Sequence, residues 1–476
     1  MPVTEEGHMF TVDEIIEATG GTKIGGGNGA ISGVSTDSRQ VAAGELFVAL
    51  KGDRFDGHDY LEAAVARGVR VFLVAADRVA GQKPPQDTAY VAVPDTLRAL
   101  GDLAAWHRRR FDLPMVGITG SNGKTTSKEM LAAILAQTGP GLKTSGNLNN
   151  LIGVPLMLLR LMKRDRWAVL EMGMSEPGEI DRLAEIAAPR IGVITNAFSA
   201  HLESMGSVEA VARAKGELFL RLQAGGCAVY NADDPLISRC PSPSGVKRLS
   251  FGLHGAEVSS EGIESLGREG VRFTIRLPGA DVPVKMRVYG LHNVYNALAA
   301  AAAARELGVE PELIRSGLEE FTPYDKRFNL EEVGGLVLVD DSYNANPASM
   351  AAALVTLREI REESRAIAVL GDMLELGAGS EAAHREVGLL AATCVERLYV
   401  MGAMAEVVAA GAVDGGLSPE SIFVAQSHAD IIADLRRRTA RGDNILVKGS
   451  RGMRMDIVAD AIRQGLSLPG EKKGVA

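Results

Sequence analysis

Short apolar runs bounded by polar or glycine-rich segments recur along the chain, and most are followed by a stretch with helical periodicity. In the first part, Leu46–Leu50, Val69–Val74 and Tyr90–Val93 read as strands and Tyr60–Arg67 as a helix, so residues 1–93 read as a small α/β domain. Pro94 breaks the pattern ahead of a helix predicted over Thr96–Arg110. From Pro114 the runs Met115–Thr119, Ala168–Glu171, Ile191–Asn196 and Cys227–Asn231 are continuous rather than alternating, as strands buried on both faces are. Interleaved with helical patterns, they predict a central domain over residues 94–324 with a parallel sheet covered on both sides. A second series, Leu336–Asp340, Ala366–Leu370, Leu398–Met401, Ile422–Ala425 and Ile445–Val447, predicts a Rossmann-like α/β domain over residues 325–476. The polar segment Pro323–Glu332 is the expected hinge between the two series.

Length and composition agree: 476 residues at roughly 150 per domain suggest three, and 46% hydrophobic with 23% charged residues is globular. The net charge of −9 argues against a nucleic-acid partner, which calls for a basic face. Small anions are not excluded, because backbone amides and a few cations can hold them locally. Cys227, Cys240 and Cys394 show no paired spacing, which fits a reducing compartment and neither a zinc site nor a disulfide framework. The first residues are acidic where a secretory signal would be basic and then apolar. The most apolar stretch, Asn296–Ala304, is far shorter than the ~20 residues that span a bilayer. A cytoplasmic protein without membrane association is expected.

The strongest motif is Gly117-Ile-Thr-Gly120-Ser-Asn-Gly123-Lys124-Thr125-Thr126, between a predicted strand and the helical pattern Lys124–Gln137. Glycines there let backbone amides turn inward around phosphate oxygens, and the helix N-terminus adds a favourable dipole. Lys124 is placed to neutralise the β/γ-phosphates and the Thr125 hydroxyl to reach Mg²⁺. The loop is a variant, since a strict pattern has glycine at the position of Ile118. ATP is the expected co-substrate.

Three further residues stand out around it. Glu171 ends a predicted strand, where a parallel sheet gathers its ligands, though a single acid there is a weak signal. His201 follows Thr195-Asn196, and by itself it is more often a loop histidine than a ligand. Over Ser207–Leu222, an advance of ~100° per residue puts Lys215 in the middle of a stripe of Val208, Val211, Ala212, Leu218, Phe219 and Leu222. Such a lysine by default buries its stem and snorkels; the sharper alternative is an inward lysine, where desolvation favours a neutral, nucleophilic amine.

Jointly the residues resemble the Mur ligases, which add amino acids to the nucleotide-linked peptide precursor of bacterial peptidoglycan. The resemblance runs through Ser35–Arg39, Leu46–Gly52, Gly120–Thr126, Asn147–Pro155, Glu171–Met174, Thr195-Asn196 with His201, Ala214–Glu217, Asn231–Pro235, His292–Ala297, Asp341–Pro347, Gly371–Gly377 and Lys448–Arg451. Tyr343–Pro347 and Gly371–Gly377 are most similar to the member that adds D-alanyl-D-alanine. The Asp-Asn-Pro-Arg motif of the diaminopimelate-adding member is absent, because Ala348 follows Asn346-Pro347.

The resemblance implies ATP-driven amide formation through an acyl phosphate, with UDP-N-acetylmuramoyl-tripeptide and D-alanyl-D-alanine as substrates, Mg²⁺ as cofactor and a monomeric enzyme. It implies that Gly120, Ser121, Asn122, Gly123, Lys124, Thr125 and Thr126 hold ATP, with Asn296 near adenine and Arg327 and Asp341 at phosphate and ribose. Thr125 and Glu171 would sit at one magnesium and His201 at a second, with Lys215 as a carbamate; Lys124, Lys215 and His201 would serve catalysis. Thr36, Ser38 and Arg39 would meet the UDP end, Asn149 and Asn150 the muramoyl-peptide, and Asn344 and Asn346 the dipeptide. A folylpolyglutamate synthase-like ligase is the nearest alternative, disfavoured by Ser35–Gly52. A GTP-hydrolysing switch is another, disfavoured because Asn231-Ala-Asp-Asp lacks the lysine of a guanine-binding motif.

Overall fold

The computed structural model describes residues 9–52, 55–199, 202–323 and 326–465. Four sheets organise them. In the first, the order is Thr22–Gly25, Ala89–Val93, Val71–Ala75, Glu45–Val48, Gly33–Ser35, with only the Thr22–Gly25 edge antiparallel. The central sheet is wholly parallel, in the order Lys247–Phe251, Cys227–Asn231, Ile191–Ile194, Met115–Thr119, Ala168–Glu171, Leu142–Lys143. The strand Met115–Thr119 comes first in the chain yet lies inside the sheet. Later strands pair on both of its sides, so its C-terminal end is a topological switch point where a crevice opens.

Every residue of Met115–Thr119, Ala168–Glu171 and Ile191–Ile194 is buried, which is why these strands read as unbroken apolar runs. The helix Lys124–Ala136 covers one face of this sheet and is itself packed by Leu291–Glu306. Residues Ala297 and Ala299–Ala304 of that second helix are all buried, and their small side chains let the two helices lie close. An antiparallel sheet of Ser259–Ser265, Val271–Leu277 and Ala280–Met286 closes the same core from outside.

The last sheet runs Asn329–Val333, Leu336–Asp341, Asn444–Lys448, Ala366–Gly371, Arg397–Met401, Ile422–Ala425. All its pairs are parallel except the first. The expected hinge over Pro323–Glu332 is therefore corrected: its second half is an edge strand, Asn329–Val333, paired antiparallel with Leu336–Asp341. Polar residues suffice there because an edge strand needs only one partner, and Glu331 is held by Arg463 across the fold. The predicted helix Tyr60–Arg67 begins as a 3₁₀ turn, Gly57–Tyr60, and becomes α-helical over Leu61–Ala66. No helix among the described residues is long and apolar enough to cross a membrane.

Candidate active site

A cleft of about 880 Å³ lies where the C-terminal edge of the central sheet faces the C-terminal edge of the last one. From the central side it is lined by Gly120–Lys124, Thr126, Asn149, Asn150, Glu171, Lys215, Asn293 and Asn296. From the other side come Arg327, Asp341, Tyr343, Asn344, Asn346, Lys448 and Arg451.

The phosphate loop owes its shape to two glycines. Gly120 (φ 154°) sits against Thr195, and Gly123 (φ 83°) sits against Asn296; a Cβ at either would collide with the facing side-chain oxygen. The loop is pinned from the strand-end segment 195–198. Ser121 N donates to Asn196 O at 3.0 Å, Asn122 N to Asn196 Oδ1 at 2.8 Å, and Thr195 Oγ1 to Asn122 O at 2.6 Å. No side chain caps the helix that begins at Lys124, so its first amides remain available to an anion. Lys124 Nζ donates to Gly120 O at 2.6 Å, and its burial lowers its pKa, an effect Glu171 opposes.

Glu171 is buried at the end of its strand and fully engaged. Its Oε2 accepts from Thr125 Oγ1 and its Oε1 from Asn149 Nδ2, both at 2.9 Å. Its own amide donates to Thr144 Oγ1, and the buried Lys128 ammonium donates to Thr144 O at 2.7 Å. Sequence reasoning missed Lys128 and Thr144. The signal was a lysine on an otherwise buried helix, one turn after the loop.

Lys215 is 2% exposed, so the inward reading of the apolar stripe holds. Among the described residues nothing hydrogen-bonds or ion-pairs with its amine. Burial holds its pKa well below the ordinary lysine value, and the Lys124 charge adds to this. His201 lies outside the described residues.

Arg327 spans the cleft: its Nη2 donates to Thr125 Oγ1 at 3.2 Å, and its guanidinium carbon lies 3.9 Å from the Tyr343 ring centre. Its buried Nε has no partner among the described residues. Asp341 accepts from Phe328 N (3.1 Å) and from the buried Lys448 ammonium (2.7 Å). Asn296 accepts from Ser127 Oγ and donates to Asn293 Oδ1, which orients it beside the loop. His292 lines the same wall, and burial lowers its pKa to about 4, so it is neutral near pH 7.

The cleft thus brings together the loop, Glu171, Lys215, Asn149, Asn150, Asn296, Arg327, Asp341, Asn344 and Asn346. Thr36, Ser38 and Arg39 lie apart from it, on the turn after Gly33–Ser35. There Arg39 makes two contacts to Asp37, at 2.9 and 2.8 Å, and holds that carboxyl at about 2. Asn346 is the N-cap of the helix Pro347–Ile360 as well as a cleft residue. Lys448, Tyr343, His292 and Arg451 were not singled out from sequence as site residues. A lysine just past the predicted strand Ile445–Val447 was the available hint.

Residues 30–108 match the Mur ligase family catalytic domain, 118–304 the Mur ligase middle domain, and 326–451 the Mur ligase glutamate ligase domain. A UDP-N-acetylmuramoyl-tripeptide–D-alanyl-D-alanine ligase of Bacillus subtilis is 37% identical over 440 residues, covering 92% of this chain and 94% of its own. The crystal structure of MurF from Acinetobacter baumannii superposes with a TM-score of 0.87 at 33% identity, covering 96% of this chain and 99% of that one. MurF from Thermotoga maritima in complex with ADP gives 0.81 at 30% identity, covering 91% and 97%. With three domain matches in order and a relative this similar along nearly its whole length, the chain belongs to the Mur ligase family.

Proposed function

We propose that this chain is a cytoplasmic ATP-dependent ligase that joins D-alanyl-D-alanine to UDP-N-acetylmuramoyl-tripeptide in peptidoglycan precursor synthesis. The observation that carries the reading is the cleft between two sheet edges, with a phosphate loop on one and Arg327, the Asp341–Lys448 pair and Arg451 on the other. The similarity to the UDP-N-acetylmuramoyl-tripeptide–D-alanyl-D-alanine ligase of Bacillus subtilis supports the choice of acceptor. Residues 1–93 would take the UDP end through Thr36, Ser38 and Arg39, residues 94–324 ATP, and residues 325–476 the dipeptide. One chain completes the cleft, which is consistent with a monomer.

A carboxylate is a poor acceptor for an amine until it is activated. The tripeptide's terminal carboxylate oxygen attacks the γ-phosphorus, the bond to the β-phosphate oxygen breaks, and ADP leaves behind an acyl phosphate. The dipeptide amine then attacks the carbonyl carbon, loses a proton, and expels phosphate from the tetrahedral intermediate. The protein's part is positioning and neutralising charge. Amides of Gly120–Thr126 and the Lys124 ammonium cradle the β/γ-phosphates. Arg327, whose Nε has no partner among the described residues, closes on them from the far side. Glu171 holds Asn149 beside the muramoyl-peptide, with Asn150 next to it. Asn296 faces adenine, and the Asp341–Lys448 pair faces ribose and phosphate.

The donors suit Mg²⁺. Thr125 and Glu171 are hard oxygens 2.9 Å apart beside the loop, and among the described residues no cluster of three His, Cys, Asp or Glu could cage a metal by itself. An ion that keeps several waters and takes its remaining ligands from phosphate fits such a sparse set. Thr125 and Glu171 would hold one such ion, and His201, with Lys215 as a carbamate, would serve a second; each would supply charge neutralisation on the phosphates.

An ADP-release assay tests the reading. Release is expected only when UDP-N-acetylmuramoyl-tripeptide and D-alanyl-D-alanine are both present. A single amino acid that proved the better acceptor would overturn the choice of dipeptide, and a folate acceptor would overturn the reading as a whole.

A further inference from the structure

Five lysine and arginine side chains line the cleft: Lys124, Lys215, Arg327, Lys448 and Arg451. Four are already committed. Lys124 belongs to the phosphate loop, Lys215 is buried beside it, Arg327 is bonded to Thr125, and Lys448 is paired with Asp341. Arg451 is different. Its side chain is exposed to the cleft, and among the described residues no hydrogen bond or ion pair involves its guanidinium. Its guanidinium carbon stands 5.8 Å from the centre of the Tyr343 ring.

The segment that carries Arg451 is rigid. Ser450 Oγ accepts from Leu374 N at 2.8 Å and donates to Ala345 O at 3.3 Å, while Ser450 N donates to Asp372 O at 3.0 Å. One serine therefore ties together the ends of three strands. The Arg451 amide donates to Asn344 Oδ1 at 3.3 Å. A backbone amide can only donate, so the atom facing it must be the oxygen, and the Asn344 Nδ2 group is left turned away from it. Lys448 Nζ fixes Asn344 further, through its carbonyl at 2.9 Å. Thus a guanidinium fork and an amide donor, both without a hydrogen-bond partner among the described residues, belong to neighbouring residues of a braced loop. The same cleft is lined by the apolar Ala345, Ala348, Leu374 and Leu376, with Glu375 between the two leucines.

This is the chemistry of a carboxylate receptor with room for methyl groups. Guanidinium presents parallel donors that match the two carboxylate oxygens, and the amide adds a third. We propose that Arg451, with Asn344 Nδ2, binds the C-terminal carboxylate of the incoming dipeptide and so selects for a free acid and orients the amine at the other end. The inference rests on the ligase reading above. It makes Arg451 a substrate-specificity residue rather than a member of the ATP machinery.

The experiment compares D-alanyl-D-alanine with D-alanyl-D-alaninamide as acceptor in the wild-type enzyme and in Arg451→Ala and Arg451→Lys. The wild type is expected to prefer the free acid by about 100-fold in kcat/KM, since a lost charge-assisted pair leaves a donor unmatched. Arg451→Ala is expected to raise the KM for the dipeptide by about 30-fold and to shrink the acid-over-amide preference to within about threefold. The KM values for ATP and the UDP-linked tripeptide should stay within about twofold, which also reports that the exposed substitution left the fold intact. Arg451→Lys should fall between, keeping charge without the fork. Full acid-over-amide preference in Arg451→Ala, or none in the wild type, overturns the proposal while leaving the ligase reading standing. A wild-type enzyme that does not use D-alanyl-D-alanine at all overturns both.

Discussion

Asn122 and Asn346 face each other across the cleft and exchange two amide hydrogen bonds, Asn122 Nδ2 to Asn346 Oδ1 at 3.1 Å and Asn346 Nδ2 to Asn122 Oδ1 at 2.7 Å. One residue belongs to the phosphate loop. The other caps the helix Pro347–Ile360 of the last sheet, where its Oδ1 also accepts from Ser349 N. The pair ties the two walls of the cleft together at the point where ATP would lie.

Asn122→Ala is therefore expected to lower kcat about 30-fold, since two neutral hydrogen bonds are worth roughly 2 kcal/mol together, while the cores of the two walls, which the pair does not touch, keep their stability. Asn346→Ala should lose the same activity and also about 1 kcal/mol of stability, because it removes a helix cap. Asn346→Asp keeps the cap acceptor and loses the Nδ2 donor, so activity should drop with stability retained. Steady-state rates beside urea unfolding separate the three. Full activity in Asn122→Ala would mean that the pair does not hold the closed cleft.

Lys124→Ala removes the cation nearest the loop's phosphate cradle. Such groups act where charge develops in the transition state, so turnover should fall at least ~100-fold, about 3 kcal/mol. The circular dichroism spectrum should not change, since the lysine supports a loop and no core. Near-normal turnover would place the ATP site elsewhere.

Much of this was legible in the chain, for identifiable reasons. Strands buried on both faces, such as Met115–Thr119 and Cys227–Asn231, announce themselves as apolar runs, and the structure places both with those bounds. The strand Val271–Leu277 is buried on alternate residues, a pattern that a search for continuous runs passes over. Ser259–Ser265 carries no such signal, because neither of its faces is buried. On the helix Val208–Leu220 the periodicity put Lys215 among apolar neighbours, and the fold buries it there. The Asn122–Asn346 pair could not be read, since neither asparagine differs in local pattern from an ordinary loop residue. Its meaning depends on two sheets meeting.

His107 offers a test of pH dependence away from the cleft. It is 2% exposed, packed against Phe10 and Phe111, and among the described residues its Nε2 meets Leu161 O alone, at 3.4 Å. Burial lowers its pKa to about 4 from an ordinary 6.5. A depressed histidine favours the neutral form in the folded state, so below pH 6.5 the unfolded chain binds the extra proton. The stability is present above 6.5 and is lost as pH falls toward 4. Replacing it with the uncharged His107→Gln should flatten the decline in melting temperature between pH 6.5 and 4.5, whatever its effect at pH 8. Parallel curves for the two proteins would show that His107 does not titrate with folding.

Lys215 carries the prediction that most sharply divides two chemistries. Its amine is buried and unpartnered among the described residues, and burial with the nearby Lys124 charge favours the neutral form. A neutral amine can add to CO₂, forming an N–C bond and releasing a proton, which turns a would-be cation into a carbamate anion. A cation beside Thr125 and Glu171 would be repelled by an ammonium and welcomed by that anion. Lys215→Ala is expected to lose activity, with partial rescue by a small added carboxylate. Lys215→Arg separates the two readings, because arginine keeps the stem and charge but cannot form the carbamate, so it should be as inactive as Lys215→Ala. A ¹³C NMR spectrum in labelled bicarbonate should show a carbamate resonance in the wild type that is missing from both variants. An active Lys215→Arg enzyme, or a wild-type spectrum without that resonance, would leave Lys215 a buried structural lysine.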